Sequence, residues 1–158
     1  MKIFNLFFLI ISLNSYADEG LLPKPFATDF CTMYKEGSVN RPDAWKHCCV
    51  EHDLYFWAGG SQKDKKKTDL RLKSCVEKSG YPGQARLIYT AVTIGGASPF
   101  HIKDKQWGNA WDNRPRYLSL SEEETSAILL FLERNHFELP ESLQQTFKEQ
   151  LNSRLDDK

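Results

Sequence analysis

Two of the chain's four cysteines, Cys48 and Cys49, are neighbours, and this constrains the fold more than any other feature. Four cysteines allow three pairings. One joins Cys48 to Cys49, and a bond between sequence neighbours is strained. The other two each tie the double cysteine to Cys31 on one side and to Cys75 on the other, crosslinking a central segment to the chain before and after it. A zinc site is a poor alternative, because adjacent cysteines crowd a tetrahedral centre and no CxxC spacing is present.

Disulfides need an oxidising compartment, and the N-terminus is consistent with one. Met1-Lys2 is a short basic start, Ile3 to Leu13 is almost entirely apolar, and Ser15-Tyr16-Ala17 places small residues at a cleavage position. Residues 1–17 thus read as a secretory signal peptide, with an exported (periplasmic or secreted) domain over 18–158. The apolar run falls well short of the ~20 residues a spanning helix needs. A 41% share of hydrophobic residues excludes an intrinsically disordered chain. The 21 basic and 21 acidic residues cancel, which argues against a general polyanion-binding surface and so against nucleic acid as a partner. No stable protein partner is implied.

The expected organisation is all-α. Residues 18–42 carry Pro23, Pro25, Gly37, Asn40 and Pro42 and read as loop. Asp43 is a candidate cap for a helix from Ala44 to Ala58, ended by Gly59-Gly60. Ser61 caps a second helix to about Ser79, with Gly80 as its stop. Ala85 to Ile94 is apolar nearly all round and fits a buried helix better than a strand. Residues 95–118 read as loop around Trp107 and Trp111, which serve either as core cover or as an interfacial anchor for lipid. Ser121 and Glu124 form a capping box that opens a helix to about Asn135, and Pro140 begins a last amphipathic segment to about Leu155.

Charge is uneven. Residues 61–78 carry seven Lys/Arg against three Asp/Glu, whereas residues 120–158 carry four against nine. The bland reading is two solvated helix faces. The sharper one is that the Lys63–Lys67 end is drawn to a phospholipid surface.

The chemistry concentrates at Cys48-Cys49-Val50-Glu51-His52-Asp53. On a helix Cys48, His52 and Phe56 share one face, so His52 points into the domain. His47 falls on the opposite side and reads as surface, and His101 and His136 have no evident partner. If Cys48 and Cys75 are bonded across two antiparallel helices, His52 lies about 6 Å and Asp69 about 9 Å from the bridge, in the same direction. The two side chains are then nearly level. A His52–Asp69 hydrogen bond would fix the imidazole tautomer and make His52 a general base. No serine or cysteine nucleophile is evident beside it, so the base would activate water.

Cys48-Cys49-x-x-His52-Asp53 resembles the active-site helix of the secreted phospholipases A2, and Asp69-Leu-Arg-Leu-Lys-Ser-Cys75 resembles their second helix. Cys31 resembles the cysteine of their calcium loop, and Pro42-Asp43 also looks similar. The resemblance covers about residues 26–80 and is closest to divergent bacterial members. It implies disulfides Cys31–Cys49 and Cys48–Cys75, two long antiparallel disulfide-linked helices, His52 and Asp69 as catalytic pair, and Asp53 as a ligand of Ca2+; the C-terminal helices expected from the pattern after Ser121 lie outside the resemblance and are extra to it. Phe30, Thr32 and Tyr34 are positional guesses for further loop ligands. The implied activity is calcium-dependent hydrolysis of the sn-2 ester of glycerophospholipids at a membrane surface, with a catalytically silent lipid-binding or envelope protein as the alternative.

The chain also departs from that family. Tyr55 and Phe56 stand where its members have cysteine and tyrosine, and Thr68 stands where the partner of that cysteine would be. The loop around Cys31, Asp29 to Gly37, holds a single glycine where the family's calcium loop is glycine-rich.

Overall fold

The computed structural model describes residues 21–96, 106–135 and 139–156. Residues 1–17, expected to be a signal peptide, and His101 and His136 lie outside them. Among the described residues the protein is all-α, with α1 (Lys46–Ala58), α2 (Gln62–Lys78), α3 (Pro82–Gly96), α4 (Glu122–Arg134) and α5 (Glu141–Asp156), and no strand beyond an isolated bridge between Ser38 and Arg41. No described helix is long and apolar enough to cross a membrane.

Two disulfides, Cys31–Cys49 and Cys48–Cys75, bind α1 to the arm before it and to α2 after it. No cysteine is free. Position 48 of α1 meets 75 of α2, and 52 meets 69, so the two helices run antiparallel.

The helix starts follow local hydrogen bonding, with one correction. α1 begins at Lys46 rather than Ala44, and Asp43 is not its cap; the N-cap is Trp45, without a side-chain capping bond. The cause is the anchoring of Trp45. Its indole donates to Lys35 O at 2.7 Å, its backbone N–H donates to Glu36 O at 2.9 Å, and its side chain is fully buried. Those contacts hold the preceding residues in turns. At α2 the Ser61 hydroxyl accepts from the Asp64 N–H while the Asp64 carboxylate accepts from the Ser61 N–H, a reciprocal box that satisfies two otherwise orphaned donors. Ser121 and Glu124 repeat it at α4. α3 extends beyond the apolar run at both ends, starting on a proline whose missing N–H does no harm at that position. It is not buried all round. Ala85 and Ile88 are buried, whereas Leu87 and Ile94 are exposed.

α1 is buried on two sides. Trp45, Cys48 and Cys49 pack with Leu72, Val76, Ala85 and Ile88 of α2 and α3. Leu54, Tyr55, Trp57 and Ala58 pack with Trp111, Ile128, Leu132 and Phe147. The C-terminal pair α4–α5 therefore covers the outer face of α1, and its residues do not line the cavity described below. Trp107 and Trp111 are core cover, each 4% exposed, donating to Gly60 O at 2.7 Å and Ala58 O at 2.9 Å. They fasten the segment 106–111 over the α1–α2 turn.

Candidate functional site

His52 lies mid-α1 at 8% exposure, and Asp69 lies on the facing turn of α2 at 2%. His52 Nε2 stands 3.1 Å from Asp69 Oδ1. The second carboxylate oxygen accepts from Lys65 Nζ at 2.6 Å, and Lys65 also donates to Val92 O of α3 at 3.3 Å. Burial alone would push the Asp69 carboxyl up. The hydrogen bonds from His52 and Lys65, with the charge on Lys65, outweigh burial and hold it below its ordinary value. Asp69 is therefore an acceptor, and His52 Nε2 carries the proton between them. In the neutral ring Nδ1 is then the basic nitrogen. It lies 4.0 Å from Asp53 Oδ1.

His52 and Asp53 both border a cavity of about 610 Å³ between α1, α3 and the N-terminal arm. Its walls are mostly apolar, with Phe30, Leu72, Leu87, Ile88, Val92 and the Cys31–Cys49 bridge among them. The apolar residues that α3 does not bury in the core serve partly as this wall. A volume of this size suits an apolar ligand or acyl chain.

Asp53 is partly exposed, and its Oδ2 accepts from the Thr28 hydroxyl at 2.6 Å. Thr28 in turn accepts from the Phe30 N–H at 3.0 Å. The arm that follows contains two non-glycine residues with positive φ, Phe30 and Met33, both at 59°. This conformation is unfavourable for side chains with a Cβ and is held here by the Cys31–Cys49 bridge, by Lys46 over the Phe30 ring at 3.9 Å, and by the Tyr34 N–H to Cys31 O bond of 2.8 Å. Phe30, Thr32 and Tyr34 all border the cavity with Asp53. The Thr32 hydroxyl donates to Asp29 Oδ1 at 2.6 Å and the Tyr34 hydroxyl donates to Gln84, so the group placed against Asp53 is the Thr28 hydroxyl. The Asp53 carboxylate is a hard oxygen donor of the kind calcium takes. Elsewhere among the described residues, His47, Cys48 and Cys75 form one group of potential metal ligands, but both sulfurs are committed to a disulfide.

Two contributors were not anticipated from the sequence. Lys65 reads as one of a run of surface lysines, yet it is 6% exposed and turned inward, whereas Lys63, Lys66 and Lys67 are exposed. Its spacing of four from Asp69 was the available signal. Thr28 left none, being 25 positions from Asp53. Phe56 packs 5.8 Å from the His52 ring and edge-on to Trp107. The Tyr55 hydroxyl turns away from the site and donates to Gln150. His47 is exposed, as expected.

Comparison with protein-family models, with curated proteins and with solved structures finds no match to this chain.

Proposed function

We propose that the protein is an exported, calcium-dependent hydrolase of the phospholipase A2 type, cleaving the sn-2 ester of glycerophospholipids at a membrane surface. The observation that carries this reading is the buried His52–Asp69 hydrogen bond at the edge of an apolar cavity that also holds Asp53. The motif that suggested the pairing resembles that family, and the geometry supplies a base with a fixed tautomer beside a space suited to an acyl chain.

In this mechanism His52 Nδ1 takes a proton from water as its oxygen bonds to the ester carbonyl carbon. The bond from that carbon to the glycerol oxygen then breaks, and the proton on His52 passes to the departing oxygen. The products are a fatty acid and a lysophospholipid. Asp69 orients the ring and compensates the imidazolium formed in between. Asp53, oriented by the Thr28 hydroxyl, would hold the calcium ion. Bound calcium supplies positive charge for the phosphate and the developing oxyanion.

A silent lipid-binding protein of the same architecture is the second reading, favoured by the departures of the loop, with its non-glycine positive-φ residues Phe30 and Met33. Fatty acid release from mixed phospholipid vesicles, with calcium and with chelator, separates the two. Chelator-sensitive release by wild type that disappears in His52→Gln supports the hydrolase. Lipid binding without release by folded, disulfide-bonded protein supports the second reading.

A further inference from the structure

We propose that Lys65 is a positioning residue which, by occupying Asp69 Oδ2, keeps His52 in the Nε2–H tautomer that leaves Nδ1 basic. Three observations carry this. Lys65 is buried, with its ammonium 2.6 Å from Oδ2 and 3.3 Å from Val92 O. His52 holds the other oxygen at 3.1 Å, so the two donors between them engage both oxygens of one buried carboxylate. Phe56, packed beside His52, carries no polar group that could assist Asp69.

The chemistry follows from what an ammonium can do. It donates only, so it cannot compete with His52 for a proton from Asp69. Its positive charge favours the ionised carboxylate, and an ionised carboxylate only accepts. His52 must then donate through Nε2. Without Lys65, a carboxyl at 2% exposure is left with one partner and is pushed towards its neutral form. A neutral carboxyl can itself donate to Nε2, and the imidazole proton then resides on Nδ1. That ring can no longer accept a proton from water on the Asp53 side. Lys65 also joins α2 to the cavity wall through Val92, so the orientation of the dyad and the position of α3 share one group.

The catalytic consequence rests on the hydrolase reading; the tautomer assignment does not. The test is therefore 15N NMR of the histidine side chains in the full disulfide-bonded chain, with the His52 signals identified by their loss in His52→Gln. In wild type at a pH where the ring is neutral, Nε2 is expected to show the protonated-type shift and Nδ1 the unprotonated type. Lys65→Met should move the distribution towards Nδ1–H, and Lys65→Arg, which keeps a charged donor, should restore Nε2–H. Folded Lys65→Met with the wild-type distribution overturns the proposal. If Lys65→Met does not fold, Lys65→Gln replaces it, and an unaltered tautomer there likewise overturns the role of the ammonium. In vesicle hydrolysis, kcat should fall about ten- to a hundredfold in Lys65→Met with KM nearly unchanged. A wild-type protein that hydrolyses nothing would sink the hydrolase reading and leave the NMR test to decide Lys65.

Discussion

Thr28 and Asp53, 25 positions apart, are joined by a 2.6 Å hydrogen bond from the Thr28 hydroxyl to Asp53 Oδ2. The bond fixes the irregular N-terminal arm against α1 one residue beyond His52. It also makes Thr28 the residue that orients the carboxylate proposed to hold calcium, and so the residue through which the arm can influence the site without contributing to proton transfer.

Thr28→Val tests this. Valine approximates the shape but lacks the hydroxyl, so Asp53 loses a charge-assisted hydrogen bond of roughly 1.5–3 kcal/mol. The calcium needed for half-maximal hydrolysis is expected to rise about tenfold or more, with little change in rate at saturating calcium. Calcium titrations of fatty acid release and of heat in a calorimeter provide the check. Identical titrations for wild type and variant would detach Thr28 from the calcium site.

Asp69 links the site to pH. Its carboxyl is held below the ordinary 3.8 in the folded chain, so on acidification the unfolded chain takes up that proton first. Its contribution to stability is thus fully present above about pH 3.8 and is lost as pH falls through the lower, folded value. Asp69→Asn removes this dependence and leaves Lys65 charged without its partner. The variant should be less stable than wild type by several kcal/mol near neutrality and melt at a lower temperature, and the gap should narrow in acid. Melting curves across the acidic range measure it. Hydrolysis should fall by a factor on the order of 10⁴, because an amide no longer enforces the Nε2–H tautomer.

Much of this arrangement was legible in the sequence. The spacing of His52 and Asp69 from Cys48 and Cys75 placed both side chains level across two helices, and the hydrogen bond is there. Ser61, Ser121 and the glycine breaks marked real helix boundaries because capping is a local interaction. Asp43 misled because a long-range contact, Trp45 against Lys35 and Glu36, overrode the local cap. Lys65 was hidden within a run of exposed lysines, where charge alone does not distinguish the one that turns inward. Tyr55 could not be paired with Gln150, since nothing local relates residues 95 apart.

The α1–α2 turn makes a packing prediction. Gly59 adopts φ 82°, and a Cβ there would come within 2.6 Å of Gly108 Cα. The neighbour is backbone in the segment fastened by Trp107 and Trp111, so it cannot move aside cheaply. Gly59→Ala combines the strain of a backbone conformation (φ 82°, ψ −157°) essentially restricted to glycine, about 1–3 kcal/mol, with that clash. A loss of roughly 3 kcal/mol or more is expected, read from chemical denaturation. Gly83→Ala is the control, since a Cβ there meets nothing within 4 Å.

The Cys48–Cys75 bridge sets the register that brings His52 to Asp69, so its removal should affect both stability and chemistry. It closes a loop with a sequence separation of 27. Constraint of the unfolded chain by such a loop is worth roughly 3.5 kcal/mol. For a chain of this size that corresponds to a fall of about ten degrees in Tm. Cys48→Ala/Cys75→Ala should show this fall while Cys31–Cys49 stays intact. Cys48 is almost completely buried beside Trp45 and Val76, so the lost sulfur contacts add to it. The dyad lies one to two turns from the bridge, and Lys65 still holds Asp69 against α3. Activity of the folded variant is therefore expected to fall about tenfold, well short of the loss in Asp69→Asn. Loss equal to that of Asp69→Asn, in protein still folded by circular dichroism, would show that the disulfide, rather than the Lys65–Asp69 contact, holds the carboxylate in place.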